Sequence, residues 1–308
     1  MKIVLPDHID LLESDRAAIT QLGDVTVYDD IPQTEDELIE RIAGAELITA
    51  SWVDITEHTI QSSPALKYII APAVGYDQIN VEAAATAGIR VLNCPTHNAQ
   101  AVAEYTIGLI FAVTRYLLPA NKALQNGEWN PRAYRGTELA GKILGLIGHG
   151  NSGKAVERLA TALEMQVEWS SSKTPAKRLD ELIARADILS LHLPLSLASW
   201  HLLDERRLGL MKPTAYLINT ARGAIVEQAA LLTVLQEKRI AGAALDVFEN
   251  EPITDRPSEQ ILALAQLDNV VATPHIAYNT DETTDRLGKE LICNLESCLH
   301  GEPINLVN

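Results

Sequence analysis

The chain has 308 residues, 47% of them hydrophobic, with 41 acidic against 25 basic side chains and a formal net charge of -16. That length supplies material for two domains of ordinary size. The acidic surface repels phosphate polymers and anionic membranes, so neither nucleic acid nor a membrane is an expected partner. Three cysteines, Cys94, Cys293 and Cys298, are too few for a disulfide framework and show no metal-ligand spacing, so no metal is expected either.

The opening MKIVLP reads as a β-strand and lacks the apolar region and cleavage site of a signal peptide, which makes the cytoplasm the expected compartment. The most apolar stretch, residues 105–118, is shorter than the ~20 residues a membrane helix needs and carries Arg115; a buried helix is expected there.

In chain order, β-branched runs alternate with helical patterns: KIVLP, residues 11–22, VTVYD, residues 35–43, ELITAS, residues 57–62, LKYIIA, residues 81–87 and IRVLN. Alternation of this kind implies parallel strands joined by helical crossovers, because a tight hairpin cannot join parallel strands. A long helical segment, residues 99–126, follows and is interrupted by Pro119; KILGLIG, QVEWS, ADILSLHL, TAYLINT, IAGAALD and NVVATP then continue the alternation. The expected fold is α/β, with two doubly wound parallel-sheet domains. The larger is a Rossmann domain (98–277) inserted in a smaller flavodoxin-like substrate domain (1–97 plus 278–308). The last helical pattern, residues 280–299, is expected to pack back on the first unit, and function is expected where the strand ends of the two lobes hold ligands.

The strand KILGLIG runs into Gly148-His149-Gly150-Asn151-Ser152-Gly153 and then a helical stretch. A G-x-G-x-x-G match alone is weak, but strand before and helix after give it a mechanism. Gly148 permits the tight turn, Gly150 lets the backbone approach a pyrophosphate, Gly153 allows close helix packing, and the helix N-terminus favours the anion. The next strand, QVEWS, ends in Ser170-Ser171-Ser172-Lys173, where an NAD site would place an acid for the ribose diol. Hydroxyls and a cation suit a 2′-phosphate, so NADP(H) is favoured over NAD(H). Glu168 competes for the ribose, although it falls inside the strand.

Three later segments, INTARG (218–223), GAALDVFENEP (242–252) and TPHIA (273–277), stand in order with VGYDQIN (74–80), NAQAVAEYTIGL (98–109), ELAGKILGLIG (138–148) and LHLPL (191–195). Together they resemble the D-isomer-specific 2-hydroxyacid dehydrogenase family, glyoxylate/hydroxypyruvate reductase-like, over nearly the whole chain. The resemblance implies NAD(P)H-dependent reduction of a small 2-keto acid to a D-2-hydroxy acid.

The resemblance also implies roles. Arg222 matches the catalytic arginine, whose guanidinium binds the carboxylate and polarises the keto oxygen. His275 matches the acid/base histidine, and Glu251 the carboxylate that orients it, chosen over Glu249 because it lies 29 residues past Arg222. Asp246 is assigned to the nicotinamide carboxamide. The segments at Leu193 and Pro194, Thr220 and Ala221, and His275 and Ala277 are assigned to run along the coenzyme. Amides of Val74 and Gly75 are assigned to the substrate carboxylate and Asn98 to the hinge side. A homodimer through the nucleotide-binding domain is implied as well, and the apolar segment 99–118 is read as its surface.

Departures narrow the substrate. The arginines of the phosphoglycerate-oxidising branch are replaced by Ala50 and Ala71, which leaves a phosphate uncompensated. Trp52 offers an apolar wall suited to glyoxylate, hydroxypyruvate or a branched or aromatic keto acid, or else packs in the core. His97 stands where the family has glycine and is read as narrowing the cleft or touching the coenzyme; Tyr278 is within expected reach of the site. Alternative readings on the same fold are a non-enzymatic NAD(H)-sensing protein and a formate- or phosphite-type dehydrogenase.

Overall fold

A computed structural model of the chain describes residues 1–252 and 256–308. It divides into two compact units, Met1–Asn98 with Asn279–Asn308, and Ala99–Tyr278.

The first unit is a parallel sheet of β1 (Lys2–Leu5), β2 (Asp24–Val27), β3 (Leu47–Thr49), β4 (Tyr68–Ala71) and β5 (Arg90–Asn93), in the order β2-β1-β3-β4-β5. This is the flavodoxin-like order. The central strand β3 is buried along its whole length, whereas edge strand β2 alternates exposed and half-buried residues. Each face of the sheet has its own core. Val4, Ile48 and Ile69 pack with Leu38 and Ile60 on one side; Ile3, Leu47, Ile70 and Leu92 pack with Leu291 and Leu295 on the other. The last helix, Asp281–Leu299, therefore seals the first unit, and it starts where Thr280 accepts a hydrogen bond from the Thr283 amide at 3.1 Å.

The second unit holds β6 (Ile143–Ile147), β7 (Gln166–Ser170), β8 (Ile188–Leu191), β9 (Tyr216–Asn219), β10 (Gly242–Leu245) and β11 (Val270–Ala272), all parallel, in the order β11-β10-β9-β8-β6-β7. The runs ILSL, YLIN and GAAL are buried throughout, as strands covered by helices on both faces must be. In the 3-2-1-4-5-6 order of the dinucleotide fold a further strand lies outside the one corresponding to β7. Here the connection from β7 to β8 carries one helix, Ala176–Arg185, and β7 is left at the edge with only Ser170 buried.

The expected helix over 99–126 is two helices, Ala99–Thr114 and Leu117–Gln125, bent by 61°. Pro119 is not the break. It falls in the first turn of the second helix, where a missing amide costs nothing, and the chain turns at Tyr116, whose φ is 54°. No single helix among the described residues is long and apolar enough to cross a membrane.

The turn from β6 into the helix Asn151–Ala162 places three glycines in three different environments. Gly148 has φ +97°, and a Cβ there would lie 2.1 Å from the His192 carbonyl oxygen; at Gly153 it would lie 2.6 Å from the Gly148 carbonyl oxygen. At Gly150 a Cβ would meet nothing within 4 Å. Gly148→Ala and Gly153→Ala should each destabilise the chain by about 1–3 kcal/mol, whereas Gly150→Ala should cost less than about 1 kcal/mol. Thermal midpoints of the three variants check this; equal losses would contradict it.

Candidate active site

All of the residues expected to carry proton transfer lie in the second unit, on loops that leave the C-terminal ends of β9, β10 and β11. Asp246 directly follows β10 and is fully buried. Its Oδ1 accepts from the Thr273 hydroxyl at 2.6 Å and the Ile276 amide at 3.0 Å, and its Oδ2 accepts from the Ala277 amide at 2.8 Å. Its carbonyl takes the His275 amide at 2.7 Å. These bonds hold His275 at φ 53°, a left-handed conformation that a residue with a side chain adopts only when its surroundings enforce it. Asp246, assigned by resemblance to a carboxamide, also shapes the loop through these bonds.

The turn delivers the His275 ring to Glu251, with Nδ1 2.7 Å from Oε2. The other carboxylate oxygen accepts from the Phe248 amide at 3.0 Å. Burial pushes the Glu251 carboxyl upward, but the hydrogen bond and charge of His275, the Phe248 amide and the charge of Arg222 outweigh it and hold the group below its ordinary value of 4.5. An ionised carboxylate only accepts, so Nδ1 carries the proton and Nε2 is the nitrogen left to exchange one. The side chains remain 41% and 34% exposed, which leaves the pair open to a ligand. The Tyr278 ring stands edge-on to the His275 ring at 6.0 Å.

Arg222 follows β9. Asn219 shapes its loop, donating from Nδ2 to the Arg222 carbonyl at 2.9 Å and accepting the Ala221 amide at 3.0 Å. The arginine's Nη1 donates to the Ala221 carbonyl at 2.8 Å. The next residue, Gly223, packs against the backbone of Phe248 and Glu249 so closely that a Cβ would lie 1.9 Å from the Phe248 carbonyl carbon. The arginine loop and the glutamate loop are thus in backbone contact. Glu249, rejected on spacing, is hydrogen-bonded to His201 and does not meet His275.

The glycine turn fits a dinucleotide phosphate. Gly150 faces open space, no side chain caps the helix Asn151–Ala162, and the adjoining Gly148 and Gly153 are closed against their neighbours. His149 stacks on Trp169 with ring centroids 4.4 Å apart and places Nε2 2.6 Å from Glu157 Oε2, so its contribution to a phosphate site is through the backbone. Beneath the turn lies His192, a residue that sequence reading passed over. Its Nε2 is 2.8 Å from Ser190 Oγ, and burial pushes its pKa down to about 4, so it is a neutral group at physiological pH.

Past β7, Ser170 is buried while Ser171, Ser172 and Lys173 are exposed in a turn closed by Thr174. Glu168 is paired with Arg185 at 2.8 Å and lies within the strand. A groove of about 260 Å³ runs beside the strand end, lined by Ser170, Thr174, Arg178 and Arg185 among others. Among the remaining expected coenzyme contacts, Leu193 and Pro194 follow β8, Thr220 Oγ1 lies 3.0 Å from Thr106 Oγ1, and the Ala221 and Ala277 amides are already engaged by Asn219 and Asp246.

The first unit carries the expected substrate residues. Trp52 is 58% exposed, which excludes the core-packing alternative. The Val74 carbonyl accepts from Asn93 Nδ2 at 2.8 Å and the Ala73 carbonyl from the Cys94 amide at 2.9 Å. The Val74 and Gly75 amides take no partner among the described residues. Asn98 is half-buried at the end of the unit. The expectation for His97 does not hold. Its ring is buried, with Nδ1 2.9 Å from the Cys94 carbonyl oxygen and 3.5 Å from Glu290, so it is spent inside the first unit. No metal-ligand cluster occurs among the described residues.

The depressed Glu251 carboxyl sets a pH dependence. Its contribution to stability is fully present above the ordinary value of 4.5 and is lost as pH falls through the lower folded value. Glu251→Gln should therefore lower the thermal midpoint near neutral pH, with the difference from the parent chain vanishing in acid. A difference constant across pH would contradict this origin.

Comparison with known proteins agrees with this arrangement. The model of the D-isomer specific 2-hydroxyacid dehydrogenase NAD binding domain matches residues 107–277. A glyoxylate reductase of Thermofilum pendens is 39% identical over 92% of this chain and 88% of its own length. Among solved structures, an acyclic imino acid reductase in complex with NADPH and D-Arg superposes with a TM-score of 0.91 at 36% identity, covering all of both chains. A D-lactate dehydrogenase from Aquifex aeolicus complexed with NAD and lactic acid gives a TM-score of 0.88 at 29% identity, covering 100% of this chain and 99% of that one. The chain belongs to the D-isomer-specific 2-hydroxyacid dehydrogenase family, and it is an NAD(P)-dependent oxidoreductase that reduces a 2-keto acid to a D-2-hydroxy acid.

Proposed function

We propose that Arg222, Glu251 and His275 carry this reaction, with the 2.7 Å contact between Glu251 and His275 as the observation on which the assignment rests. The Arg222 guanidinium binds the substrate carboxylate and polarises the neighbouring keto oxygen, a task for which a planar donor fork is suited. His275 Nε2 donates a proton to that oxygen as it becomes an alkoxide, and in the reverse direction accepts it. Glu251 fixes the ring orientation and offsets the positive charge of the imidazolium. NAD(P)H, when bound, supplies the hydride to C2. The resemblance assigns Val74, Gly75 and Asn98 of the first unit to the substrate, and Trp52 is read as an apolar wall for it.

The substrate is a small or apolar keto acid such as glyoxylate, hydroxypyruvate or phenylpyruvate, and 3-phosphoglycerate is not expected to be one. The reading rests on exposed Trp52 and on Ala50 and Ala71, both fully buried where arginines would have to reach a phosphate. The coenzyme is NADP(H). Glu168 is committed to Arg185, the strand end offers hydroxyls with Lys173, and Arg178 lines the adjoining groove beside Glu181.

The protein is a homodimer, supported by Leu117, Leu118 and Leu124 at 53–57% exposure and Trp129 at 83%. Of the segment 99–118, read from sequence as the dimer surface, Leu117 and Leu118 are exposed, whereas Ala103, Leu109, Ile110 and Val113 belong to the core of their own unit.

Following NADPH and NADH oxidation over glyoxylate, hydroxypyruvate, pyruvate, phenylpyruvate and 3-phosphohydroxypyruvate tests the substrate and coenzyme together. Turnover is expected with the unphosphorylated acids and NADPH, and Lys173→Asp should lower the NADPH preference by about tenfold. Preference for the phosphorylated acid, or an unchanged coenzyme ratio in the variant, would contradict the respective assignment. Absence of all turnover would favour the NAD(H)-sensing reading.

A further inference from the structure

Three loops leave the C-terminal ends of adjacent strands in the first unit, after β1, β3 and β4. Asp7, two residues past β1, is fully buried. Its Oδ2 accepts two successive amides of the loop after β3, from Ser51 at 3.0 Å and from Trp52 at 2.5 Å. Its Oδ1 is buried without a partner. On the other side of the same loop, Gln78 Nε2 donates to the Ala50 carbonyl at 2.9 Å. Gln78 is itself fixed, because its carbonyl accepts the Ile55 amide at 2.8 Å and Ile55 in turn accepts the Asn80 amide at 2.9 Å. Backbone at residues 50–52 is thereby held through its amides by an acid and through its carbonyl by a carboxamide.

Stability alone does not account for this pair. Ser51 is half-buried and Trp52 exposed, so the loop lies at the surface, where backbone amides are ordinarily left to water. A buried carboxyl with one orphaned oxygen is a costly way to do the same. Burial indeed pushes the Asp7 carboxyl above its ordinary value of 3.8 even though the amides of Trp52, Ser51 and Val53 oppose it. What the clamp supplies is direction: two adjacent amides aimed at one oxygen fix the backbone of Trp52, and with it the base of an indole that contributes nothing to the core.

We propose that Asp7 and Gln78 are positioning residues that set the Trp52 indole as the wall selecting the keto-acid side chain. This rests on the placement of Trp52 at the substrate under the proposed function. Neither residue touches substrate; both act through the loop.

The test is the ratio of kcat/KM for phenylpyruvate to that for glyoxylate, with NADPH, in the full chain. Asp7→Ala and Gln78→Ala should shift this ratio by about tenfold in the direction given by Trp52→Ala, with the KM for NADPH unchanged. Asp7→Asn should restore the ratio to within about twofold of the parent, because the amide oxygen can accept the same two N–H groups. Gln78→Ala decides the matter if Asp7→Ala does not fold. A native ratio in Gln78→Ala and Asp7→Ala overturns the proposal, as does a Trp52→Ala variant with the parent's ratio. A parent chain that reduces no keto acid at all would fail the reading of function instead, so the two failures are distinct.

Discussion

The buried carboxylate of Asp246 takes three hydrogen bonds from residues 273–277, and the shape of the whole catalytic loop follows from them. Together with the bond from the His275 amide to the Asp246 carbonyl, they hold His275 in a left-handed turn that few residues with a side chain adopt. The acid is a side chain at the end of a fully buried strand, so the rigidity of the parallel sheet passes directly to the imidazole. Arg222 and His275 each lie three residues past a strand end, and Glu251 six.

The same economy governs the other half of the pair. Gly223 lets the loop after β9 lie against the backbone of Phe248 and Glu249, and the Phe248 amide holds one oxygen of Glu251 while His275 takes the other. A guanidinium, a carboxylate and an imidazole are thus carried by three neighbouring strands, β9, β10 and β11, with the charge of Arg222 already felt by Glu251. In a chain of net charge -16, this cation is a local exception to the acidic surroundings.

Much of this was legible in the sequence, for reasons that differ by residue. Continuous apolar runs announce parallel strands because both faces are covered, and the glycine spacing at 148–153 encodes close backbone approach that only a Cβ-free residue permits. Arg222, Glu251 and His275 were legible through motif order. Their mutual geometry was not, because it depends on Asp246, and an acid ending a strand reads the same whether it faces a ligand or its own loop. Asp7 was hidden for a similar reason: in LPDH it looks like a solvated turn, and only the neighbouring strand's loop reveals its partner. The six strand patterns from KILGLIG to NVVATP match the six strands of the second sheet. Pro119 misled because position within a helix, not presence, decides whether proline breaks it.

The central claim is that His275, oriented by Glu251, exchanges the proton that accompanies hydride transfer. It is tested most directly by kcat for keto-acid reduction in His275→Asn, alongside a fluorescence titration of coenzyme binding. At least about a hundredfold loss of turnover with coenzyme affinity retained is the expected result. Turnover within a few-fold of the parent would contradict it.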